Sequence, residues 1–430
     1  MPRTLCAGLP AALRQPDPVT IEGWIHRRRQ LASVTFVVLR DRSGLAQAVV
    51  TDPAVRQQVS ELPEETVVRL TGTASRNAKA PGGVELVDPA VHALSAPAAA
   101  SSLELWRPEL GVTLPVALDH AALSWRHPTR RAVWQIAAAS LTGFRRHLDG
   151  AGFTEVSTPK IVGQCAESGA NVFALDYFGA PAYLAQSPQL YKQMLTGVFE
   201  RVYEVGPVFR AEPHDTARHL AEYVSPDVEF GFVRDHRDVL AQLRATLAAM
   251  LAAIAEKASA AVETAGVHLP VLPEEIPVVH FREALELVGA AADEPDLAPE
   301  HERFLGAWAK QRYDSDFLAV EGYPAAKRPF YTHPQPDDPR WTNSFDLLFR
   351  GLELVTGGQR LHHHADYLAA LAARGEDPAA YEAYLAAMRH GMPPHGGFAI
   401  GLERWVSRLT EADNIRRAAL FPRDRHRLRP

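Results

Sequence analysis

The feature that most constrains the fold of this chain is a pair of strand-like runs joined by a long polar connection within residues 201–232. The runs Val202–Glu212 and Asp227–Phe232 are rich in β-branched and aromatic residues, whereas an ordinary hairpin closes with about two to five residues. The connection sets cations beside carboxylates, with Arg210, Glu212, His214, Arg218, His219 and Glu222. This pattern predicts two antiparallel strands whose connection holds a ligand with phosphate at one end.

The N-terminal quarter of the chain has the pattern of a small β barrel. The strand candidates are VTIEGWIH, VTFVVLRD, LAQAVV, TVVRLTGTAS and VELVDPAVHAL, with a short polar helix after the third. Short strands in this order are typical of an OB fold, and the low-complexity segment LSAPAAASS that follows is typical of a linker. We therefore predict an OB-fold domain at residues 1–100, a linker or hinge at 101–128 and a second domain at 129–430.

The second domain combines helices with neighbouring strands. Trp134, Leu141, Phe144 and Leu148 recur at helical spacing. Strand-like runs then follow in FTEVSTPKIV, YLAQSPQLYKQ, the opening pair and FDLLFRGLELVTGG, and Ala-rich helical stretches interrupt them. The order predicts an α+β domain with an antiparallel sheet. The sequence contains neither GxGxxG after a strand nor GxxxxGK[ST], so it does not support a Rossmann or P-loop nucleotide site.

Composition excludes several other classes of protein. The net charge of −6 gives no global basic field, so any nucleic-acid surface must be local. Cys6 and Cys165 are the only cysteines, too few for a disulfide framework, which favours a reducing cytoplasm. The start of the chain lacks a cationic segment followed by a long apolar core. We expect neither a signal peptide nor a membrane span.

Residues suited to phosphate chemistry recur along the second domain. Arg210 and Arg218 could each grip a phosphate, because a guanidinium matches phosphate oxygens bidentately. Tyr223 and Arg404 offer faces for a purine base. Glu353 and Thr356, three residues apart, could share one Mg²⁺. The triple histidine at 362–364 is a weaker metal candidate, since three adjacent residues cannot converge on one ion in a regular element.

The order of these segments resembles the class II aminoacyl-tRNA synthetases, and among them the aspartyl-tRNA synthetases of the archaeal and eukaryotic type. FTEVSTPK resembles the first class motif, which forms a dimer interface around its proline, here Pro159; VFRAEPHDTARHLAEY resembles the second and GGFAIGLERW the third. AESGANVF, YLAQSPQLYKQ, TGGQRLH and NIRRAALFPRDRHRLRP resemble further aspartyl-enzyme segments. The resemblance implies a homodimer that uses ATP and Mg²⁺ and spans nearly the whole chain.

The resemblance assigns ATP contacts residue by residue. It implies that Arg210 holds the α-phosphate, that Arg218 holds the γ-phosphate with His219 nearby, and that Glu212 faces the adenine. Tyr223 and Arg404 would sandwich the base, and Glu353 and Thr356 would ligate Mg²⁺. Where the family usually has Ser-Gly-Ala-Gln-Arg, this chain has TGGQR, which retains the hydroxyl.

The choice of amino acid depends mainly on one lysine. In aspartyl enzymes the residues that match Lys192 and Arg360 bind the side-chain carboxylate of L-aspartate, whereas asparaginyl enzymes lack that lysine. Gln189, Asp227 and Glu167 match residues around the substrate's α-amino group and the mobile loop over it, and Thr356 completes the expected aspartate-binding set. The resemblance therefore implies activation of aspartate to aspartyl-adenylate, with Arg210, Arg360 and Lys192 as the catalytic set, and transfer to the 3′ end of tRNA.

The barrel carries the predicted anticodon contacts. By the resemblance, Phe36 and Gln47 contact the central anticodon base, and Arg27 and Arg29 contact its neighbours. Enzymes restricted to tRNA-Asp tend to have Trp where His26 stands and Lys where Pro81 stands, while relatives that charge tRNA-Asp and tRNA-Asn tend to have His and Pro. With His26 and Pro81 the chain lacks both the bulky Trp ring and the Lys donor. We expect it to discriminate less between the two anticodons, because specificity is a difference of affinities. We predict a non-discriminating enzyme whose Asp-tRNA-Asn passes to an amidotransferase.

Four other interpretations remain open at this point. The enzyme could be restricted to tRNA-Asp, or it could be an asparaginyl-tRNA synthetase. A tRNA-independent, asparagine-forming ligase on the same fold would not need the barrel. A non-catalytic RNA-binding paralogue would have lost the ATP residues, yet Arg210, Arg218, Glu353 and Arg404 are all present.

Overall fold

The computed structural model describes residues 3–14, 17–97, 99–163, 171–213 and 215–429. The chain divides into two compact units, Met1–His127 and Pro128–Pro430. The N-terminal unit contains strands β1 Val19–Gln30, β2 Thr35–Arg40, β3 Leu45–Val50, β4 Val67–Arg76 and β5 Val84–Ser95. Its helices are α1 Pro53–Glu61, α2 Leu114–Asp119 and α3 Ala121–Ser124, with short 3₁₀ segments at Cys6–Arg14 and Pro81–Gly83.

The five strands of the N-terminal unit close into a barrel in the order β1-β2-β3-β5-β4. Strand alternation explains why: Val37, Leu39, Ala46 and Ala48 are buried inside, and the residues between them face outward. Asp52 caps α1, since its carboxylate accepts hydrogen bonds from the next two free backbone amides, and proline occupies the first helical position. The predicted OB barrel is confirmed.

The C-terminal unit is built on a mixed sheet of eight strands. Its helices are α4 Pro128–Gly150, α5 Gln189–Phe199, α6 His236–Lys257, α7 Ser259–Ala265, α8 Phe281–Val288, α9 Pro299–Tyr313, α10 His364–Arg374, α11 Glu382–Met388 and α12 Leu402–Leu409. Its strands are β6 Thr154–Glu155, β7 Ile161–Val162, β8 Ala174–Tyr177, β9 Ala180–Leu184, β10 Arg201–Phe209, β11 Glu222–Gly231, β12 Val278–His280, β13 Phe317–Glu321, β14 Ser344–Phe349, β15 Leu352–Gln359 and β16 His395–Ile400. Short 3₁₀ segments lie at Pro378–Tyr381 and Ile415–Arg417.

The large sheet runs in the order β12-β13-β14-β15-β16-β11-β10-β6, and a separate small sheet has the order β7-β9-β8. The six central strands pair antiparallel, while β12 and β6 pair parallel at the two edges. The predicted α+β domain is thus confirmed, with an antiparallel sheet that becomes mixed at its edges. The sheet brings β11, β16 and β15 side by side, which places the second and third class motifs in contact.

Helices α4 and α6 cover one face of the sheet and form the main core with it. Phe144, Leu247 and Trp405 are fully buried there, and the indole Nε1 of Trp405 donates to the Ser140 hydroxyl at 3.0 Å. By length and composition alone the 22-residue helix α6 could cross a membrane, but half of its apolar window is buried in the protein. Because Val239, Leu243 and Leu247 of α6 pack into this core, we assign it as a core helix.

Two segments differ from the predicted elements. The polar connection of the opening pair extends from residue 210 to 221, because β11 begins at Glu222 rather than at Asp227. The run YLAQSPQLYKQ is a strand only as far as Leu184, and its second half is helix α5. Pro188 immediately precedes this helix, and the tyrosine and leucine that suggested a strand lie on its faces instead.

Gly143 fixes the close approach of α4 and α6. A Cβ atom there would lie 2.4 Å from the Ala249 carbonyl oxygen and 2.8 Å from the Ala253 Cβ. We expect Gly143→Ala to destabilise the unit by about 2 kcal/mol, because overpacking outweighs the gain of about 1 kcal/mol in helix propensity. The control is Gly150→Ala on the same helix, where a Cβ meets nothing within 4 Å. Chemical denaturation measures the free energy of unfolding of the two variants. If Gly143→Ala were as stable as Gly150→Ala, the contact between α4 and α6 would not require a glycine.

Candidate active site

A cavity of about 270 Å³ opens where the β10–β11 connection, β15, β16 and the start of α12 meet. It is lined by all of the residues predicted to bind ATP and Mg²⁺, namely Arg210, Glu212, Arg218, His219, Tyr223, Glu353, Thr356 and Arg404. Sheet pairing explains the convergence, because β11 and β15 both pair with β16. The structure therefore brings this whole predicted set together.

Charges in this cavity are paired through two glutamates. The Arg218 Nη2 lies 2.6 Å from the Glu302 Oε2, which also accepts a hydrogen bond from the Glu353 backbone amide at 3.0 Å. The Arg404 Nη1 donates to the Glu353 carbonyl at 3.1 Å and lies 3.5 Å from its Oε1. Glu302 thus connects the Arg218 side chain to the backbone of Glu353, although it was not predicted to have a role.

The predicted metal ligands lie together at the cavity wall. The Thr356 hydroxyl is 3.4 Å from the Glu353 Oε1, and Thr356 pairs across the strands with Asp346. Burial alone would raise the pKa of Glu353, but Arg404 and the neighbouring arginines outweigh burial and lower it. Burial, reinforced by the charge of Glu353, raises the pKa of Asp346 to about 6. Glu353 and Thr356 supply oxygen atoms that suit Mg²⁺.

These oxygens do not complete a metal site by themselves. Within the described ranges, no group of three or more His, Cys, Asp or Glu side chains could hold a metal ion. Mg²⁺ normally keeps several waters and is bound by one or two carboxylates plus substrate phosphates. The residues therefore fit an ion that arrives with a polyphosphate.

Another part of the cavity wall gathers Arg210, Glu212 and His219 with the aromatic ring of Tyr223. The Arg210 guanidinium lies 5.8 Å from the centre of the Tyr223 ring, and its Nη1 is 3.8 Å from the Glu212 Oε1. His219 approaches the other Glu212 oxygen at 3.8 Å. Buried Glu403 accepts a hydrogen bond from the Val224 amide at 3.1 Å, and burial raises the pKa of this glutamate to about 7.

A second cavity of about 120 Å³ adjoins the first and shares with it the wall residues Arg210, Tyr223, Ser225, Thr356 and Ala399. Three residues predicted to bind the amino acid, Gln189, Asp227 and Arg360, also line it. Arg328, Ser187 and Tyr331 complete much of its wall. A ligand could therefore occupy both cavities with Arg210 at the junction.

Lys192 lies behind this second cavity rather than in its wall. Its side chain is almost fully buried, and its ammonium lies 2.9 Å from the Asp227 Oδ1 and 3.3 Å from the Glu229 Oε2. Arg360 donates to Glu229 from Nε at 2.9 Å and from Nη2 at 3.4 Å. Two cations and two carboxylates thus form one buried network beside the cavity.

Several residues of the site were not predicted from the sequence. Glu229 lies two residues from Asp227 on β11, so strand periodicity places both on one face, a signal that could have identified it. Arg328 and Asp346 form a buried ion pair at 2.9 Å, with the guanidinium 3.9 Å from the Tyr323 ring centre. Nothing local in the sequence distinguishes Arg328 from a solvated loop arginine. Of the predicted residues, Glu167 and His214 lie outside the described residues.

The outer face of the barrel gathers four of the six predicted anticodon residues. Arg27 and Gln47 both pair with Val38 across β1, β2 and β3, and Arg29 pairs with Phe36. The Arg29 guanidinium lies 5.7 Å from the Phe36 ring centre. Gln47 donates to Glu85 at 2.8 Å. This face offers an aromatic ring, two guanidiniums and an amide, a combination suited to single-stranded nucleic acid.

The other two predicted anticodon residues have different environments. Pro81 begins the turn Pro81–Gly83. His26 is buried beside a bulge of β1, with its Nδ1 3.0 Å from the Arg40 guanidinium. Arg40 in turn forms a two-point ion pair with buried Glu65 at 2.8 and 2.9 Å. The structure therefore does not place the His26 ring with the four residues of the outer face.

Solved structures and known proteins resemble this chain over its full length. An aspartate–tRNA(Asp/Asn) ligase from Thermus thermophilus is 45% identical over 415 residues, covering 96% of each chain. A ligase of the same name from Deinococcus radiodurans is 42% identical over 440 residues and covers 100% of this chain and 99% of its own. The crystal structure of asparaginyl-tRNA synthetase from Pyrococcus horikoshii with asparaginyl-adenylate superimposes with a TM-score of 0.88 at 29% identity, covering 96% of each chain.

Family models divide the chain between two descriptions. Residues 19–94 match the OB-fold nucleic acid binding domain of anticodon-binding proteins. Residues 114–425 match the tRNA synthetases of class II, types D, K and N. These matches and the full-length relatives confirm the family that the motifs indicated. The chain belongs to the class II tRNA synthetases of the D, K and N family.

Proposed function

We propose that this protein is a non-discriminating aspartate–tRNA ligase, which activates L-aspartate with ATP and transfers it to both tRNA-Asp and tRNA-Asn. The observation that carries the proposal is the pair of adjoining cavities, one lined by arginines for a polyphosphate and the other backed by the buried Lys192 network. The full-length relatives named as ligases for both tRNAs support the same conclusion.

ATP would lie in the larger cavity. Arg210 at the junction is placed to hold the α-phosphate, and Arg218, held by Glu302, to hold the γ-phosphate with His219 nearby. The adenine would stack between Tyr223 and Arg404, with Glu212 at its edge. Mg²⁺ bound by Glu353, Thr356 and phosphate oxygens would neutralise charge on the polyphosphate.

The reaction needs positioning more than covalent help. An oxygen of the aspartate α-carboxylate attacks the α-phosphorus, the bond from that phosphorus to the bridging oxygen breaks, and pyrophosphate leaves with the electron pair. The 3′-terminal ribose hydroxyl of tRNA then attacks the acyl carbon and AMP leaves. Arg210 faces both steps and stabilises the charge that develops at the α-phosphate. No residue of the described site is assigned as a general base.

Aspartate would occupy the smaller cavity through its charges. Asp227 would bind the substrate ammonium, with Gln189 beside it. Arg360 donates to protein acceptors from Nε and Nη2, which leaves its Nη1 for the substrate. Lys192 would then turn from Asp227 toward the β-carboxylate. An amide cannot replace a carboxylate there, because it carries no charge to offset the loss of the contact between Lys192 and Asp227.

Anticodon recognition would take place on the outer face of the barrel. Phe36 and Gln47 would contact the central base, and Arg27 and Arg29 the backbone and the neighbouring bases. His26 and Pro81 would leave the third base without a strict reader, so that both tRNAs are charged. We further propose a cytoplasmic homodimer built around Pro159 of the first class motif, with an amidotransferase as the consumer of Asp-tRNA-Asn.

The function is tested by charging assays with defined transcripts. We expect aspartate-dependent exchange of labelled pyrophosphate into ATP, and aspartylation of tRNA-Asp and tRNA-Asn transcripts with similar kcat/KM. Charging of tRNA-Asp alone would refute relaxed specificity and leave the ligase intact. Exchange that depends on asparagine instead of aspartate would refute the choice of amino acid and favour the asparaginyl relative.

Lys192→Met tests the amino-acid pocket. Methionine fills the space of the lysine stem without its charge, so we expect the KM for aspartate to rise by about 100-fold, about 2.7 kcal/mol, with the KM for ATP little changed. Lys257→Met, at the exposed end of α6, is the matched control. Thermal melting verifies that the Lys192 variant is folded. A folded variant with the wild-type KM for aspartate would exclude Lys192 from the pocket.

His26→Trp combined with Pro81→Lys tests the anticodon argument. We expect the ratio of tRNA-Asn to tRNA-Asp charging to fall by about tenfold, about 1.4 kcal/mol of discrimination. His26 is buried and a Trp there could disturb the barrel, so Pro81→Lys alone is measured beside the double variant. His92→Trp, at an exposed position of the barrel, is the control for adding a Trp ring. Ratios equal to wild type in both folded variants would contradict the argument.

A further inference from the structure

A third cavity borders the ATP cavity at Arg218 and Arg404. Its volume is about 160 Å³, and both arginines line it as well as the ATP cavity. The remaining cations come from α9, from the β14–β15 turn and from α12, namely Arg303, Arg350 and Arg408. Five arginines from four parts of the chain, two of them on α12, therefore line one small space, which we call the arginine pocket.

Arg350 of the arginine pocket lies in a tight turn and has a strained, left-handed backbone conformation. β14 and β15 are joined by the two residues Arg350 and Gly351, with φ of +49° and +71°. Such a turn favours Asn, Asp or Gly at its first position, and a long side chain in the left-handed region costs about 1 kcal/mol. A strained residue of this kind often marks a functional position. The turn directs the Arg350 guanidinium to the carbonyls of Arg408 and His268 at 3.1 and 2.9 Å.

Close packing of glycines places Arg303 beside this turn. A Cβ on Gly306 of α9 would lie 2.5 Å from the Gly351 Cα, and a Cβ on Gly351 would lie 3.1 Å from the Arg303 Cα. Neither position tolerates a side chain, so helix α9 contacts the turn through backbone. The contact fixes Arg303 and Arg350 next to each other despite their like charge.

The charges of the arginine pocket are only partly balanced. Arg218 pairs with Glu302, Arg404 with Glu353, and Arg350 with Asp316 and Glu411, both at 3.4 Å. Asp413 in the lining is already paired with Arg417 at 2.6 Å. Across the part of the chain that the structure describes, neither Arg303 nor Arg408 has a carboxylate within the 4.0 Å of an ion pair. Two cations of the pocket thus have no ion-pair partner among the described residues, and the attraction of the more distant Glu411 only partly offsets the charge of Arg408.

Arg408 is the arginine of the pocket whose side chain is least satisfied. Its Nε is buried and has no hydrogen-bond acceptor among the described residues. Burial, and then the neighbouring positive charge of Arg350, lowers the pKa of Arg408. An unpaired buried donor and an uncompensated charge both cost free energy, which an anion in the pocket would recover.

We propose that the arginine pocket is a separate subsite for inorganic pyrophosphate, which receives the leaving group after the α-phosphorus bond has broken. The proposal rests on the proposed function, which supplies this product. The pocket is small enough to exclude a nucleotide, shares two arginines with the ATP cavity, and offers unpaired guanidiniums that suit a polyanion. Transfer of pyrophosphate to it would clear the ATP cavity before tRNA is charged.

Arg303→Gln and Arg408→Gln test the subsite, with Arg312→Gln near the other end of α9 as the control. We expect the KM for pyrophosphate in aspartate-dependent exchange to rise by about tenfold in both variants, the loss of one charged contact of about 1.4 kcal/mol. The KM for ATP in aminoacylation should stay within about twofold of wild type. Arg303 is exposed, so its variant tests the proposal without a risk to folding.

Direct binding separates the subsite from the ATP cavity. Calorimetry is done with magnesium pyrophosphate on protein whose first two cavities are filled by aspartate and an ATP analogue with a non-cleavable α,β-methylene bridge, which occupies the triphosphate positions as well. Binding that persists, weakens in Arg303→Gln and exceeds that of inorganic phosphate and sulfate supports the proposal. Loss of binding under the analogue, equal rises in the KM for ATP and pyrophosphate, or equal affinity for sulfate would each overturn it.

The same measurements distinguish the two levels of inference. Pyrophosphate binding that depends on Arg303 in a protein without aspartate-dependent exchange would refute the proposed function and retain the subsite. Aspartate-dependent exchange with an unchanged pyrophosphate KM in both variants would retain the function and refute the subsite.

Discussion

The architecture of the site depends on two carboxylates set two residues apart on β11. Asp227 and Glu229 are buried, and between them they hold Lys192 of α5 and Arg360 of the segment after β15. Removal of one partner from such a network leaves an uncompensated charge and typically costs about 3–5 kcal/mol. The network therefore fixes α5 and the end of β15 to the sheet. The same contacts place Asp227 and Arg360 in the wall of the second cavity and their partners Glu229 and Lys192 beside it.

Long-range contacts supply the remaining geometry. Glu302 on α9 holds both the Arg218 guanidinium and the Glu353 amide, although these partners lie 84 and 51 residues away from it in the chain. α9 can reach this position only because Gly306 and Gly351 permit backbone contact. A helix whose sequence resembles no motif thus positions the phosphate end of the site. Conserved motifs and structural support need not lie in the same segment.

The sequence predicted most of the ligand-facing residues and little of what supports them. Motif residues such as Arg210 and Glu353 could be assigned because they stand in segments that resemble the family's motifs, and their roles follow from that resemblance. Arg328, Asp346 and Glu302 could not, since their roles arise from partners distant in the chain. His26 shows the converse: its identity was informative, but its burial beside Arg40 depends on a bulge in β1 that no local pattern announces. Periodicity also misassigned the start of α5, where Pro188 decides the structure.

Ligand binding at this site is best described as an exchange of partners among charges that are already paired. Arg218, Arg404, Lys192 and Arg360 each have a carboxylate partner in the absence of substrate. A substrate carboxylate or phosphate gains only the difference between its own interaction and that of the partner it displaces. A neutral amide cannot displace a carboxylate, so pre-paired cations discriminate by charge more sharply than free ones would. The arginine pocket differs because, among the described residues, Arg303 and Arg408 have no carboxylate partner to lose, and an anion that reaches them is bound without that exchange.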